Sequence, residues 1–456
     1  MKTAPGKRFV AAGLLALTCL APLTASAETL ADALISAYKN SNLLEQNRAV
    51  LRAADEDVAS AVSALRPVLA FVANAGYTDP VAVGRDNLSA TIALSASMTL
   101  FDSGRNRLGV DIAKETVLAT REALVSVEQS VLLGAVQTYF GVRSAIENVS
   151  INDNSVRVLE ETLKATQDQF DVGEVTRTDV ALAQAQLAAA RAGLAAAQGQ
   201  LAAARESYKA VTGHYPGALA IAPKVPPLPK SVTEAQGIAM RSHPSILQAQ
   251  HQVAAADLGV ALGAAQRLPT VSADASLARD DNGINASSVG IQLQQPIYAG
   301  GKLSSVHRKA IAQREQARAG LQQSSVIIAQ NVANSWADIS VARAQISATD
   351  RQISAATIAY DGVREEAKLG ARTTLDVLNA EQSLLDARSS RITAVANLQV
   401  ANYSLLASMG LLTVDHLNLG IPVYDPAAYY NAVKSAPPTS VQGKSLDRVL
   451  KAIGKN

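Results

Sequence analysis

Two copies of one pattern run along this chain. Phe101-Asp102-Ser103-Gly104-Arg105 is echoed by Tyr298-Ala299-Gly300-Gly301-Lys302, and Gly104 and Gly301 stand 197 positions apart. Gly173-x-x-Thr176-x-x-Asp179 returns as Gly370-x-x-Thr373-x-x-Asp376, again 197 positions on. Gly213 with Gly410, and Tyr139 with Trp336, keep the same spacing. Pro67 and Pro269 are 202 apart, so the length difference falls between the proline and the glycine, where connections vary. A constant offset over so many positions marks a duplicated supersecondary unit. The expected organisation is a first repeat at 28–214, a proline-rich linker at 215–230, a second repeat at 231–412 and a C-terminal segment at 413–456.

Each repeat reads as helix, two strands, a very long helix and a further helix. From about Ser103 to Phe170, and from about Leu303 to Lys368, there is no proline and apolar residues recur at helical spacing. Helices of that length run about 100 Å at 1.5 Å per residue, far more than a compact domain needs. The second long helix carries a heptad seam of Val180, Leu187, Leu194, Leu201 and Tyr208, with Ala183, Ala190, Ala197 and Ala204 three positions later. Val377, Leu384, Leu398 and Leu405 repeat it with Ala380, Ala387, Ala394 and Ala401, and Arg391 interrupts it. Large residues facing alanines suit close antiparallel helix pairs.

The strands alternate. Leu88, Ala90, Ile92, Leu94, Ala96, Met98 and Leu100 interleave with small, mostly polar residues, as do Val271–Leu277 and Val289–Leu293; Val68–Tyr77 alternates less cleanly. One apolar and one small polar face is the pattern of a lipid-facing, water-lined barrel. Half-buried strands of a soluble sheet give the same pattern, but they do not come attached to rod-like helices. Four strands cannot close a barrel of useful bore, and lipid does not tolerate open edges. Several chains must then share one barrel. Three chains would give twelve strands above a cylinder of twelve long-helix segments.

Lys2, Lys7 and Arg8, the apolar run from Phe9 to about Leu23, and Ala25-Ser26-Ala27 read as a secretory signal peptide over 1–27. Cleavage is expected before Glu28; Cys19 lies inside the apolar run, and Thr18 before it fits a lipoprotein signal poorly. Without the leader's three basic residues the net charge of +2 becomes −1. That balance, with 4% aromatic residues, argues against nucleic acid. No later apolar run is expected to cross a membrane as a helix.

The paired motifs, together with Gln295-Pro296-Ile297-Tyr298-x-Gly-Gly, resemble the TolC family from about Glu28 to Leu412. The resemblance implies a mixed α+β membrane protein: a homotrimeric 12-stranded transmembrane β-barrel in the outer membrane, four strands per chain, continued by a 12-helix α-barrel through the periplasm. It implies an exit duct for drugs, secreted proteins or both, docked to an inner-membrane RND or ABC transporter through a periplasmic adaptor. By residue match Asp376 lines the closed periplasmic gate, and Asn379 stands where relatives often carry a second acid. Arg372 matches an arginine that latches the inner helix pair to Thr178 and Asp179 of a neighbouring protomer, with Ala367 in place of the latch tyrosine. The turns holding Gly173, Thr176, Gly370 and Thr373 match the tips offered to adaptors. Helix capping is the competing reading for Asp179 and Asp376, a solvated side chain for Arg372, and plain turns for the tips. The proline-bearing C-terminal segment matches a belt around the middle of the cylinder.

No catalytic chemistry is expected. His214, His243, His251, His307 and His416 have no ligand spacing, so neither metal nor cofactor is expected. Gly300-Gly301-Lys302 lacks the earlier glycine and the Ser/Thr of a phosphate loop. Two other functions fit parts of the pattern: a coiled-coil tether between envelope layers, which leaves the strands unexplained, and a stand-alone porin, which leaves the helices unexplained.

Overall fold

The computed structural model describes residues 27–79, 87–221 and 225–436. The leader with Cys19, the Pro437-Pro438 pair and the basic C-terminal tail lie outside them. The opening helix of each repeat is two helices, not the single one expected: α1 (Leu30–Asn40) and α2 (Asn42–Ser63), then α5 (Val232–Ser242) and α6 (Pro244–Ala265). The break has a local cause in each half. The Ser41 side chain accepts from Leu44 N–H and caps α2. Pro244, which has no N–H and disfavours helix at the residue before it, starts α6.

The two pairs of short helices sit 202 residues apart end for end. The long helices α3 (Arg105–Asp171) and α7 (Lys302–Lys368) are 67 residues each and sit 197 apart. Each turns back into a partner, α4 (Arg177–Thr212) and α8 (Thr374–Ser408). Along α4 the heptad positions are the covered stripe, with Val180, Ala183, Leu187, Ala197 and Tyr208 buried. Arg391 does not enter the second seam. It lies exposed and pairs with Asp350 of α7 at 2.6 Å. By length and mean hydropathy α4 could cross a membrane, contrary to the expectation that no helix could. The reason is its alanine content, which raises mean hydropathy on both faces of the helix although only the seam is packed.

Between the short and long helices, β1 (Val68–Tyr77), β2 (Leu88–Phe101), β3 (Thr270–Asp280) and β4 (Asn285–Gln294) form one antiparallel sheet in sequence order. The register aligns the alternation across all four strands. Phe71 faces Leu94, which faces Leu277, and Ile291 sits opposite Ala273. On the other face Ser97 pairs with Asp274, Ser276 with Ser288, and Ser272 with Gln292. Val68 and Val72 fall on this second face, opposite Ser97 and Ala93, which is why β1 alternated poorly as sequence. A bulge between Thr99 and Phe101 sets Phe101, not Leu100, opposite Val271.

The principal core lies where the short helices clasp the middle of the long ones. Leu30, Leu44, Leu51, Val117, Leu132, Tyr139, Tyr208, Leu405 and Leu412 are all buried there. The Tyr139 hydroxyl donates to Ala220 O at 3.0 Å, fastening the linker to α3. The short helix α9 (Pro426–Val433) packs on α2, and Tyr424 N donates to Tyr38 Oη.

Candidate functional site

The end of each long hairpin is a turn built the same way twice. Gly173 and Gly370 take φ 81° and 79°, a left-handed conformation that stops the long helix and is costly for other residues. Three residues later Thr176 and Thr373 cap the return helices. Asp179 completes a capping box: its Oδ2 accepts from Thr176 N–H at 2.9 Å and Thr176 Oγ1 at 2.7 Å. Asp376 Oδ2 does the same with Thr373, at 3.0 Å and 2.9 Å. These hydrogen bonds to the charged form hold both carboxyls below their usual range. The capping role weighed for both aspartates is therefore present. It engages one oxygen of each, and Oδ1 has no hydrogen-bond partner among the described residues.

Arg372 sits beside the second turn and bonds within its own chain. Its Nε donates to Glu366 Oε2 at 2.8 Å, which raises its pKa. Within one chain Arg372 does not meet Thr178 or Asp179. Thr178 is exposed on the first turn of α4 and Asn379 on the second turn of α8. Val172 and Leu369, just before the tip glycines, are also exposed, at 72% and 85%.

Sequence reasoning missed what lies just above these tips. A second apolar cluster, Leu159 of α3, Leu187 of α4 and Leu378 of α8, joins the two hairpins. Gln186 of α4 donates to Gln382 of α8, and Ser389 of α8 to Asn148 of α3 at 2.8 Å. Between them lies Glu381, only 8% exposed, in a groove of about 310 Å³ walled by α3, α7 and α8. Ser155 and Arg364 lie near enough to favour its charge, and Oε2 has no hydrogen-bond partner among the described residues. Burial outweighs both and pushes its pKa up to about 7. The signal was a charged residue at an apolar-stripe position, three after Leu378 and three before Leu384.

The described residues contain no cluster of His, Asp and Glu able to hold a metal. His251 pairs with Glu115 at 2.8 Å and His214 lies 3.6 Å from Glu28. Gly301-Lys302 opens α7 as a strand-to-helix turn. In the first repeat the matching motif is a corner brace. Asp102 accepts from Gly104 N–H at 2.9 Å, and Arg105 Nε donates to Ala265 O at 3.0 Å at the end of α6.

A two-faced sheet standing on paired coiled coils is an architecture suited to a channel protein of the bacterial envelope. The chain belongs to the outer membrane efflux protein family, whose model matches residues 34–214 and 237–411. It is 36% identical to the outer membrane efflux protein BepC of Brucella suis, over 94% of this chain and 95% of that one. It is 25% identical to the outer membrane protein TolC of Escherichia coli, over 91% and 90%. In structure it superposes on VceC from Vibrio cholerae with a TM-score of 0.72 at 21% identity, over 84% of this chain and 96% of that one. The protein is thus an outer-membrane channel of the TolC family that extends into the periplasm, and it is not an enzyme.

Proposed function

We propose that three copies close into a twelve-stranded barrel in the outer membrane, with the paired long helices forming a hollow periplasmic cylinder beneath it. The observation that carries this is the sheet: among the described residues one face is apolar across four strands with no element packed on it, and β1 and β4 each present a free edge. In lipid those edges must pair, and three four-stranded sheets meet that need. The helices agree. Among the described residues α7 packs mainly on α5, α6 and α8, and it leaves Val341 63% and Ile358 72% exposed. In this reading 28–214 and 231–412 are the two repeats, 215–230 joins them, and 413–436 belongs to a belt at mid-height.

The duct takes drugs, secreted proteins or both from an inner-membrane transporter, through a periplasmic adaptor that grips the tips around Gly173 and Gly370. The exposed Val172 and Leu369 offer that partner an apolar hold. Three copies of Asp376 ring the entrance, with one oxygen of each left over from capping. Arg372, bonded to Glu366 only through Nε, keeps its two terminal nitrogens for Thr178 and Asp179 of a neighbour.

Mass measurement in detergent should give three chains, and single-channel recording in a planar bilayer should show conductance. A monomer stable in lipid, or an insulating trimer, overturns the duct. Divalent cations added from the periplasmic side should reduce the current, less than in relatives with a second acid at position 379. Asp376→Asn should remove most of that block; an unchanged response takes Asp376 out of the gate. Deleting the gene and measuring both drug sensitivity and secreted proteins separates the cargoes.

A further inference from the structure

We infer that Arg279 is a docking point for the phosphate of an outer-leaflet lipid headgroup. This rests on the barrel reading above and adds a specific ligand to it. The four described strands carry one basic residue between them, Arg279. Its register opposite Ile92 and Asn285 places it on the apolar face, in line with Leu277, Ala275 and Ala273 of its own strand. It is also the last residue but one of β3, beside the turn at 281–284. That turn lies at the end of the sheet away from the helices. With the helices in the periplasm, Arg279 therefore sits at the outer rim of the lipid-facing surface.

The surroundings fit a lipid. A groove of about 360 Å³ runs below Arg279 on this face, lined by Phe71, Ile92, Leu94 and Leu277, with Asn285 and Ser287 at its margin. An apolar trough with one cation at its outer end matches an acyl chain beneath a phosphate. A guanidinium can grip a phosphate through two parallel hydrogen bonds. The side chain reaches toward the turn: its Nη2 lies 3.8 Å from where a Cβ on Gly283 would be. This is the direction in which a long cationic side chain carries its charge out of hydrocarbon.

The nearby carboxylates are engaged elsewhere. Asp280 Oδ1 accepts from Ile284 N–H at 2.6 Å, and Asp281 Oδ2 from Ala90 N–H at 3.2 Å. Among the described residues nothing pairs with Arg279. By contrast, Arg66 and Arg105, at the helix end of the sheet, donate to backbone carbonyls of Ala436 and Ala265. β3 has β2 and β4 of its own chain on either side, so closing the barrel with other copies leaves this site uncovered.

Native mass spectrometry of the full-length protein in detergent tests the assignment, with bisphosphorylated lipid A as probe. The wild type should retain it, and Arg279→Gln should bind about ten-fold more weakly, the scale of one lost charge-assisted contact. Arg279→Lys should keep part of the affinity, and dephosphorylated lipid A should bind the wild type no better than the Gln variant. Arg279 is exposed, so the Gln variant should keep the parent's assembly mass. Equal retention by wild type and Gln variant, or equal binding of the dephosphorylated lipid, overturns the proposal. So does displacement by inorganic phosphate at matched concentration, which would make the site one for a free ion. Failure of the barrel reading looks different: the wild type would then not insert into phosphatidylcholine vesicles at all.

Discussion

Replacing Glu381 by glutamine should tighten the seam between the two hairpins at neutral and alkaline pH, and not at pH 5. The carboxyl lies between α3 and α8, facing Ser155 of α3 and Tyr360 and Arg364 of α7. Glu161, Asp361, Arg157 and Arg388 line the same groove. Burial raises its pKa from 4.5 to about 7. The folded arrangement therefore holds the proton more tightly than the opened one. Stability from this group is full below pH 4.5 and falls away as pH climbs through 7. At about 1.4 kcal/mol per pKa unit, burying the charge costs about 3 kcal/mol in alkaline solution. Glutamine keeps the size and removes the charge. Allowing about 1 kcal/mol for altered polar contacts around Ser155, the variant should gain about 2 kcal/mol at pH 8 and almost nothing at pH 5. Hydrogen exchange of the α8 amides from Leu378 to Leu385, corrected for intrinsic rates, should then slow roughly thirty-fold at pH 8. Equal protection in parent and variant at both pH values would refute the burial argument.

Asp55 is fully buried, both carboxyl oxygens lack partners among the described residues, and burial lifts its pKa to about 6 against the pull of Arg121. Asp55→Asn should therefore raise the thermal midpoint at pH 8, by an amount worth about 2 kcal/mol, with the gap closing toward pH 4. Leu378→Ala should cost about 2–4 kcal/mol, seen as lost exchange protection at the seam while the core around Tyr139 stays protected. Arg372→Ser and Asp179→Ser should each raise resting conductance, and the double variant should add little if the two residues are partners across protomers. If Glu366→Gln reproduces the effect and Asp179→Ser does not, Arg372 acts only inside its own chain.

The duplication, the strand positions and the heptad seams were legible because each is periodic, and period follows from backbone geometry alone. Val68–Tyr77 was placed to the residue even though its alternation is poor. The capping boxes at Thr176 and Thr373 are also local, spanning three residues, and were open to reading as such. What the sequence could not supply are relations between segments far apart in the chain. The register that puts Phe71, Leu94 and Leu277 on one face depends on which strands are neighbours. The extra residue at Leu100 depends on how β3 lies against β2. The partner of Arg372 in the chain is Glu366, reached only once the turn has closed. Glu381 stands at an apolar-stripe position in the sequence, but what covers it there, Ser155 of α3 with Tyr360 and Arg364 of α7, is set by the packing of the hairpins. Periodicity and caps are set by neighbours a few bonds away, so the sequence alone determined the elements and their order. Burial, and with it the charge state of Glu381 and Asp55, is set by chains of contact hundreds of residues apart, and only the tertiary structure decided it.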